Sequence, residues 1–499
     1  MKLYLKIFFL LILLSGIFVS VIKPQEVFFK VKFKRSDGSE KYVYRLKKGD
    51  ILYIEHDPLI PFMYRGGNPV TWYVDPEGRI IINRRTAGFI LDDRNLGLLP
   101  ENRDAEFFIW HNKNSLPQSV LKFIAENNAR KIFLSLQGYD GPGEDIGNLS
   151  LLNEKLIFLS LRDSTFSRIG KNAGLTYLNG LDLYNSRMNE DEILRLIGDN
   201  QIVRLNLGKT SITGAGLLEL TKLAALKNLD LSSTLLDDKS LEWIKFFRHL
   251  EVLDVSQTKI SDHFLEKLEN TITLQEISLN DTTISDRGIA YLKDLAFLKK
   301  MNLSGIKFGE NPSGLSYLSN MARLQIIILK NAQINKKVLD CVSKCQMLRV
   351  LDITATGVND SDLANLPELT MLDELYCGEN PLTGDAVRYI KDIQNLKVLD
   401  MTATDVSGPQ QEYFKRMEGL QILYVAGTGF DDDGMTFIKN LPNLVEVDLS
   451  NTQVTKKCIP DILKMQSLRR IFLTGSKFSP ADIKSLKTQS PVLEVYYEE

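Results

Sequence analysis

The sequence predicts an α/β solenoid, a series of short parallel strands each followed by a helix, preceded by a small β-rich domain. Three observations lead there. Leucine is the commonest of the 499 residues, about one in seven, and an excess of that kind calls for a repeat search before any division into domains. From residue 132 onward a pattern L-x-x-L-x-L-x-x-T-x-I recurs, as in Leu226, Leu229, Leu231, Thr234 and Leu236, then Leu250, Leu253, Val255, Thr258 and Ile260, an offset of 24 residues. After each such segment comes a helix-capping residue followed by apolar residues at helical spacing.

Length and charge bound the reading. With 61 basic and 63 acidic side chains the net charge is −2, so no global electrostatic case for nucleic acid exists. An apolar share of 44% and a charged share of 25% are ordinary for a folded soluble chain. Length alone suggests about three domains of roughly 150 residues. The repeat replaces that with a segment 1–23, a β-rich domain 24–112 and a solenoid 113–499. Four cysteines do not make a disulfide scaffold.

Lys2 and Lys6 precede the uncharged run 7–22, a positive region followed by a hydrophobic one. Two readings stand side by side. A cleaved signal peptide needs small residues before the cut, yet Phe18 or Leu14 falls at the third position back from the available sites after Ser20 or Gly16. An uncleaved N-terminal membrane anchor needs about 20 apolar residues, and residues 3–22 supply them with Lys6 as the one charge. Either implies export, and the membrane is a possible partner through 3–22. Lys23, Lys30, Lys32, Lys34 and Arg35 follow the run, so the orientation is left open.

In the β-rich domain, residues 27–34 alternate apolar and basic side chains, 36–39 carry turn chemistry and Tyr42, Val43 and Tyr44 resume the strand, which predicts a hairpin. Trp72 to Val74, the turn Asp75-Pro76-Glu77-Gly78, and Ile80 to Ile82 predict a second.

Taking the second apolar position of each repeat as anchor gives Leu134, Leu159, Leu181, Leu205, Leu229, Leu253, Ile277, Met301, Ile327, Leu351, Leu375, Leu399, Leu423, Val447, Ile471 and Val495. Twelve of the fifteen intervals are 24; the exceptions are 25 and 22 at the start and 26 between Met301 and Ile327, around residues 309–314. Apolar residues two apart make a short strand with its leucines toward the core. Five places after the anchor stand Ser186, Thr210, Thr234, Thr258, Thr282, Thr356, Asn380, Thr404, Thr428, Thr452 and Ser476. Small hydrogen-bonding side chains there are expected to satisfy backbone groups of neighbouring coils. Eight places after it stand Asn189, Thr213, Asp237, Ser261, Ser285, Gly309, Asn335, Asn359, Thr383, Ser407, Asp431, Thr455 and Ser479, each a favoured helix N-cap.

These repeats resemble the leucine-rich-repeat family, in its strand-plus-helix class, with Thr in place of the usual Asn of the ladder, as in Leu229-Asp230-Leu231-Ser232-Ser233-Thr234. They are similar to the Thr-rich units of bacterial leucine-rich-repeat proteins and of ubiquitin-ligase substrate receptors, although no F-box-like segment precedes them. The resemblance covers 113–499 and implies a horseshoe with a parallel sheet on the concave side and helices on the convex side. Sixteen strands at about 4.8 Å give an inner arc of roughly 75 Å.

The residue after each anchor points out of the concave sheet. In the second half that column reads Ile328, Asp352, Tyr376, Asp400, Tyr424, Asp448, Phe472 and Tyr496, with Ile326, Val350, Val398 and Ile422 one place before their anchors. Aromatics flanked by apolar side chains suit a polypeptide partner, so Ile328, Asp352, Tyr376, Asp400, Tyr424, Asp448 and Phe472 are the candidate partner-binding residues, centred on Tyr376 and Tyr424. The competing reading is that Asp fills this column and the aromatics cover one another.

No catalytic, cofactor or metal motif emerges. His56, His111, His249 and His263 lack metal spacing, and Cys341, Cys345, Cys377 and Cys458 read as buried reduced thiols, with a Cys341–Cys345 link the alternative. The Gly-rich segment 138–145 lacks both the phosphate-loop ending and calcium-loop spacing. The function expected is a non-catalytic exported or membrane-anchored protein-binding scaffold. The alternatives are a cell-surface adhesin or glycan-binding module, and an enzyme with its site around Glu55, His56 and Asp57.

Overall fold

The computed structural model describes residues 131–498 apart from 137–138, 142–145, 153, 167–174 and 270, and ahead of them the backbone of seven strands between 27 and 110. The predicted signal or anchor lies outside the described residues, as does the Glu55-His56-Asp57 segment. Among the described residues no helix is long and apolar enough to cross a membrane. The chain divides into two compact units, residues 1–234 and 235–499.

In the first unit Val27–Val31 pairs antiparallel with Tyr42–Leu46, and Val70–Val74 pairs antiparallel with Ile51–Ile54 and with Ile80–Ile82. Thr86–Ile90, Glu106–Trp110 and Lys131–Ser135 then pair in parallel. From there the parallel ladder runs through Leu156–Ser160, Gly180–Asp182, Arg204–Asn206 and Asn228–Asp230, with Leu134, Leu159, Leu181, Leu205 and Leu229 opposite one another. In the second unit eleven three-residue strands follow, from Val252–Asp254 to Glu494–Tyr496. Every anchor again faces the next, including Met301 opposite Ile327, so the 26-residue coil leaves the register intact.

Burial explains why the register is so firmly held. The anchors Leu253, Leu351, Leu375 and Leu399 are fully buried while the residues on either side of them are half-exposed. A slip of one residue would turn every leucine outward, at about 2 kcal/mol for each side chain exposed.

Each strand ends in a turn whose critical residue lies four places after the anchor. That residue has positive φ in coil after coil: Asn185, Lys209, Ser233, Gln257, Asp281, Asn331, Ala355, Glu379, Ala403 and Asn451 lie between 54° and 58°, with Gly305, Gly427 and Gly475 at the equivalent places. A left-handed third residue is what a type II turn demands, and for residues such as Ala403 it costs about 1 kcal/mol or more. The return is a prolonged ladder. The N–H of Lys209 reaches the Ser232 carbonyl at 2.7 Å and that of Ala403 reaches the Ala426 carbonyl at 2.7 Å, beyond the formal strand.

The Thr column behaves differently from expectation. Thr210, Thr234, Thr258, Thr404, Thr428 and Thr452 donate their hydroxyls to the carbonyl three residues back in their own coil, at 2.6–2.7 Å. These six close the turn of their own coil, whereas Ser164 in the same column donates its hydroxyl to the Leu136 carbonyl of the preceding coil at 3.0 Å. Asn380, with a longer side chain, also bridges. Its Nδ2 donates to the Ile353 carbonyl of the preceding coil at 2.7 Å, and its Oδ1 accepts from the N–H groups of Thr356 and Gly357 at 2.9 and 2.8 Å.

The helical half of each coil is α in some repeats, such as Glu190–Ile197 and Asp432–Ile438, and 3₁₀ in others, such as Glu242–Phe246, Asp360–Glu368 and Pro409–Arg416. A 3₁₀ helix rises about 2.0 Å per residue against about 1.5 Å, yet both kinds fit coils of the same 24-residue spacing. Asn189, Ser261, Ser285, Asn335, Asn359, Asp431, Thr455 and Ser479 cap as predicted. Gly309 and Ser407 do not: those helices start after Pro312 and after Gly408, whose φ is 76°. Asp237 instead binds Ser240 ahead of the helix that begins at Glu242.

The caps also join coil to coil. The acid directly after one cap accepts from the backbone and hydroxyl of the next coil's cap: Glu190 from Thr213, Asp238 from Ser261, Asp262 from Ser285, Asp360 from Thr383 and Asp432 from Thr455. A hydroxyl can donate to that carboxylate while accepting from its own helix, as those of Ser261, Ser285 and Thr455 do. Asp237, Asn359 and Asp431, which lack a hydroxyl, follow coils with Gly214, Lys336 and Gly408 in the acid's place.

Candidate functional site

Alternation along a strand sends the residues beside each anchor to the open face of the sheet. Within residues 235–499 the register places Ile328, Asp352, Tyr376, Asp400, Tyr424, Asp448 and Phe472 opposite one another in a single column. The structure therefore brings all seven predicted residues together. Tyr376, Tyr424 and Phe472 are half-buried, each half of a strand that shows one face to the core and one outward.

The two tyrosines are held in place. Tyr376 donates its hydroxyl to Glu374 Oε2 at 2.8 Å, and Tyr424 donates to Glu446 Oε1 at 2.6 Å, with Glu446 also paired to the Arg470 guanidinium. Burial pushes both phenols well above their ordinary pKa, and the carboxylates reinforce it: Glu374, Asp400 and Asp352 around Tyr376, Glu446 around Tyr424. Both stay neutral donors, in a negative local potential. Phe472 stacks on Tyr496 with centroids 4.5 Å apart and planes 12° apart.

The aspartates of the column have a fold-making role. Asp352, Asp400 and Asp448 accept through Oδ1 from the N–H two residues on, at 2.9, 2.8 and 2.8 Å. Asn206 and Asn302 make the same bond at 2.9 and 3.1 Å. What the turn requires is an acceptor, and an amide supplies it as well as a carboxylate.

Glu374, Glu446 and Arg470 complete this face with Tyr496 of the same column, and these three were missed in the sequence, where only the apolar residues preceding the anchors drew attention. The signal was available: the place before the anchor reads Val350, Glu374, Val398, Ile422, Glu446, Arg470 and Glu494. On the strands from 350 to 496 the outward residues include six carboxylates, Asp352, Glu374, Asp400, Glu446, Asp448 and Glu494, and one cation, Arg470, hence 1 − 6 = −5.

Elsewhere the chemistry is quiet. Among the described residues no group of three or more His, Cys, Asp or Glu side chains could hold a metal ion. His249 and His263 are exposed, and Asp431 caps a helix whose first turn holds Asp432 and Asp433. His111 and most of the Gly-rich segment 138–145 lie outside the described residues. All four cysteines are free, three of them buried and Cys341 half-exposed. Burial raises the Cys345 thiol to about 12, and raises Cys377 and Cys458 further. The thiolate is the reactive form, so native protein at pH 8 should react with a disulfide reagent at Cys341 alone, with the other three following only on unfolding. Two or more thiols reacting together in the native state would contradict this.

No protein-family model matches the chain, and no curated protein matches it. Many solved structures do. The structure of a TLR13–ssRNA13 complex aligns at 17% identity over 80% of this chain and 64% of that one, with a TM-score of 0.53. The mouse RP105/MD-1 complex aligns at 14% identity over 79% and 74%, with a TM-score of 0.52. A leucine-rich-repeat protein of Leptospira interrogans aligns at 18% identity over 81% and 92%, with a TM-score of 0.46. The fold is a leucine-rich-repeat solenoid, as the 24-residue columns implied.

Proposed function

We propose that this chain is a non-catalytic scaffold, exported or membrane-anchored, that binds a polypeptide partner on the open, concave face formed by Ile328, Asp352, Tyr376, Asp400, Tyr424, Asp448 and Phe472. The observation that carries it is the pair Tyr376 and Tyr424: half-exposed rings two strands apart in one outward column, with Asp400 between them, each fixed by its hydroxyl on a glutamate. A ring already held loses little conformational freedom when a partner covers it, which is how tyrosine comes to dominate interfaces. Mouse RP105, which shares the fold, was solved in complex with MD-1. TLR13 was solved with a single-stranded RNA, but six carboxylates against one cation oppose a polyanion here. The uncharged run 7–22 supports export, and residues 24–112 are read as a separate β-rich domain ahead of the repeats.

The double variant Tyr376→Ala/Tyr424→Ala should lose the partner captured by the wild-type chain from native membranes. Losing two such side chains should weaken binding by about 30-fold or more. Unchanged recovery of the same partner would sink the proposal.

A further inference from the structure

We infer that the partner segment seated on this face is cationic, a stretch of polypeptide bearing Lys or Arg side chains. This rests on the reading of the face as a polypeptide site and adds the chemistry of what it takes. Three observations lead to it.

The first is charge. The outward strand residues from 350 to 496 sum to −5, while the whole chain sums to −2. The single cation, Arg470, is already engaged by Glu446.

The second is that the fold does not ask for this charge. At the aspartate column the turn needs only a side-chain oxygen, and Asn206 and Asn302 provide one from an amide. Asp352, Asp400 and Asp448 each commit Oδ1 to their own turn, so their negative charge is surplus to folding. Like charges spaced along one face repel, and an incoming cation would relieve that.

The third is arrangement. Asp352, Tyr376, Asp400, Tyr424 and Asp448 alternate in direct register. A cationic side chain placed between two aspartates therefore lies over a tyrosine, where ring and carboxylates attract it together. Val398 and Ile422 beside them take the apolar side chains of the same segment.

The test uses the full chain and two fluorescent peptides of about 12 residues, which extended span roughly 40 Å and exceed the roughly 29 Å covered by these seven coils. One peptide repeats Lys-Leu-Ser, and the other carries Glu for every Lys. Fluorescence anisotropy should show the Lys peptide binding at least about tenfold tighter than the Glu peptide, and weakening about tenfold between roughly 50 and 300 mM NaCl. The variant Asp352→Asn/Asp400→Asn/Asp448→Asn should weaken the Lys peptide by about tenfold while its urea midpoint stays at the wild-type value, since asparagine keeps the turn. Equal affinity for both peptides, binding of neither, or a triple variant that binds as the wild type does would overturn the inference. The two readings fail separately. If the peptides bind alike yet Tyr376→Ala/Tyr424→Ala still loses the captured partner, only the cationic inference falls. If the Lys peptide binds the double tyrosine variant undiminished, the underlying reading of the face falls with it.

Discussion

Asn380→Ala should destabilise the chain by about 3 kcal/mol, because one buried side chain there serves two coils. Its amide donates to the carbonyls of Ile353, Cys377 and Gly378, and its oxygen accepts from Thr356 and Gly357. Truncation strands the Thr356 N–H, which no water reaches easily in a side-chain site only 5% exposed, and an unmade buried hydrogen bond costs about 1–3 kcal/mol. Urea unfolding followed by fluorescence would measure the shift, and amide exchange at Thr356 and Gly357 would locate it. Asn380→Thr should recover only the own-coil part, since Thr404 in the same column bonds Met401 and no further. A loss under about 1 kcal/mol for Asn380→Ala would contradict the bridging role.

The second large effect is steric. Gly314 sits where a β-carbon would lie 1.7 Å from the Asp286 carbonyl oxygen, a backbone atom that cannot swing away. Gly314→Ala should cost about 3 kcal/mol, the upper range for overpacking a tight site. Five residues earlier, Gly309 has only the Asp286 carboxylate at 3.8 Å and no left-handed φ, so Gly309→Ala should stay within about 0.5 kcal/mol. Thermal or urea melts of the two variants decide the matter, and equal midpoints would refute it. Together they would show that the two extra residues of this coil are tolerated at their exposed tip, while the base is fixed against its neighbour.

Much of this fold was legible because its strongest signal is periodic. Anchors such as Leu253 and Leu351 recur at 24 residues and are buried, so a pattern count finds the register directly. The Thr ladder was located correctly and its partners only in part: Asn380 and Ser164 serve a neighbouring coil as expected, while six threonines of the column turn back to their own. The left-handed residue escaped notice because its column mixes Asn, Asp and Gly with Lys209, Gln257, Ala355 and Glu379, which carry no turn signature. The acid-to-cap contact was only partly readable: the hydroxyls at 213, 261, 285, 383 and 455 follow an acid and the caps Asp237, Asn359 and Asp431 do not, but Asn335 follows Glu310 and Ser479 follows Lys456. The column of the candidate face was fully predicted. Its glutamates were overlooked because a sequence shows Tyr376 and Glu374 as two separate residues, whereas the fold makes them one hydrogen-bonded pair.

Those carboxylates that reach the next cap all point the same way. Asp262 lends its oxygens to Ser285, and Ser285 returns nothing to Asp262 but protons. The bonds are thus ordered like a row of lean-to roofs, each leaning on the one before. Opening the coil of Asp262 withdraws support from the helix that starts at Ser285, whereas opening the coil of Ser285 leaves the helix at Ser261 with its Asp238 contact whole. Yet each such bond is lost whichever of its two coils opens, so the array has a direction in its contacts and none in its stability.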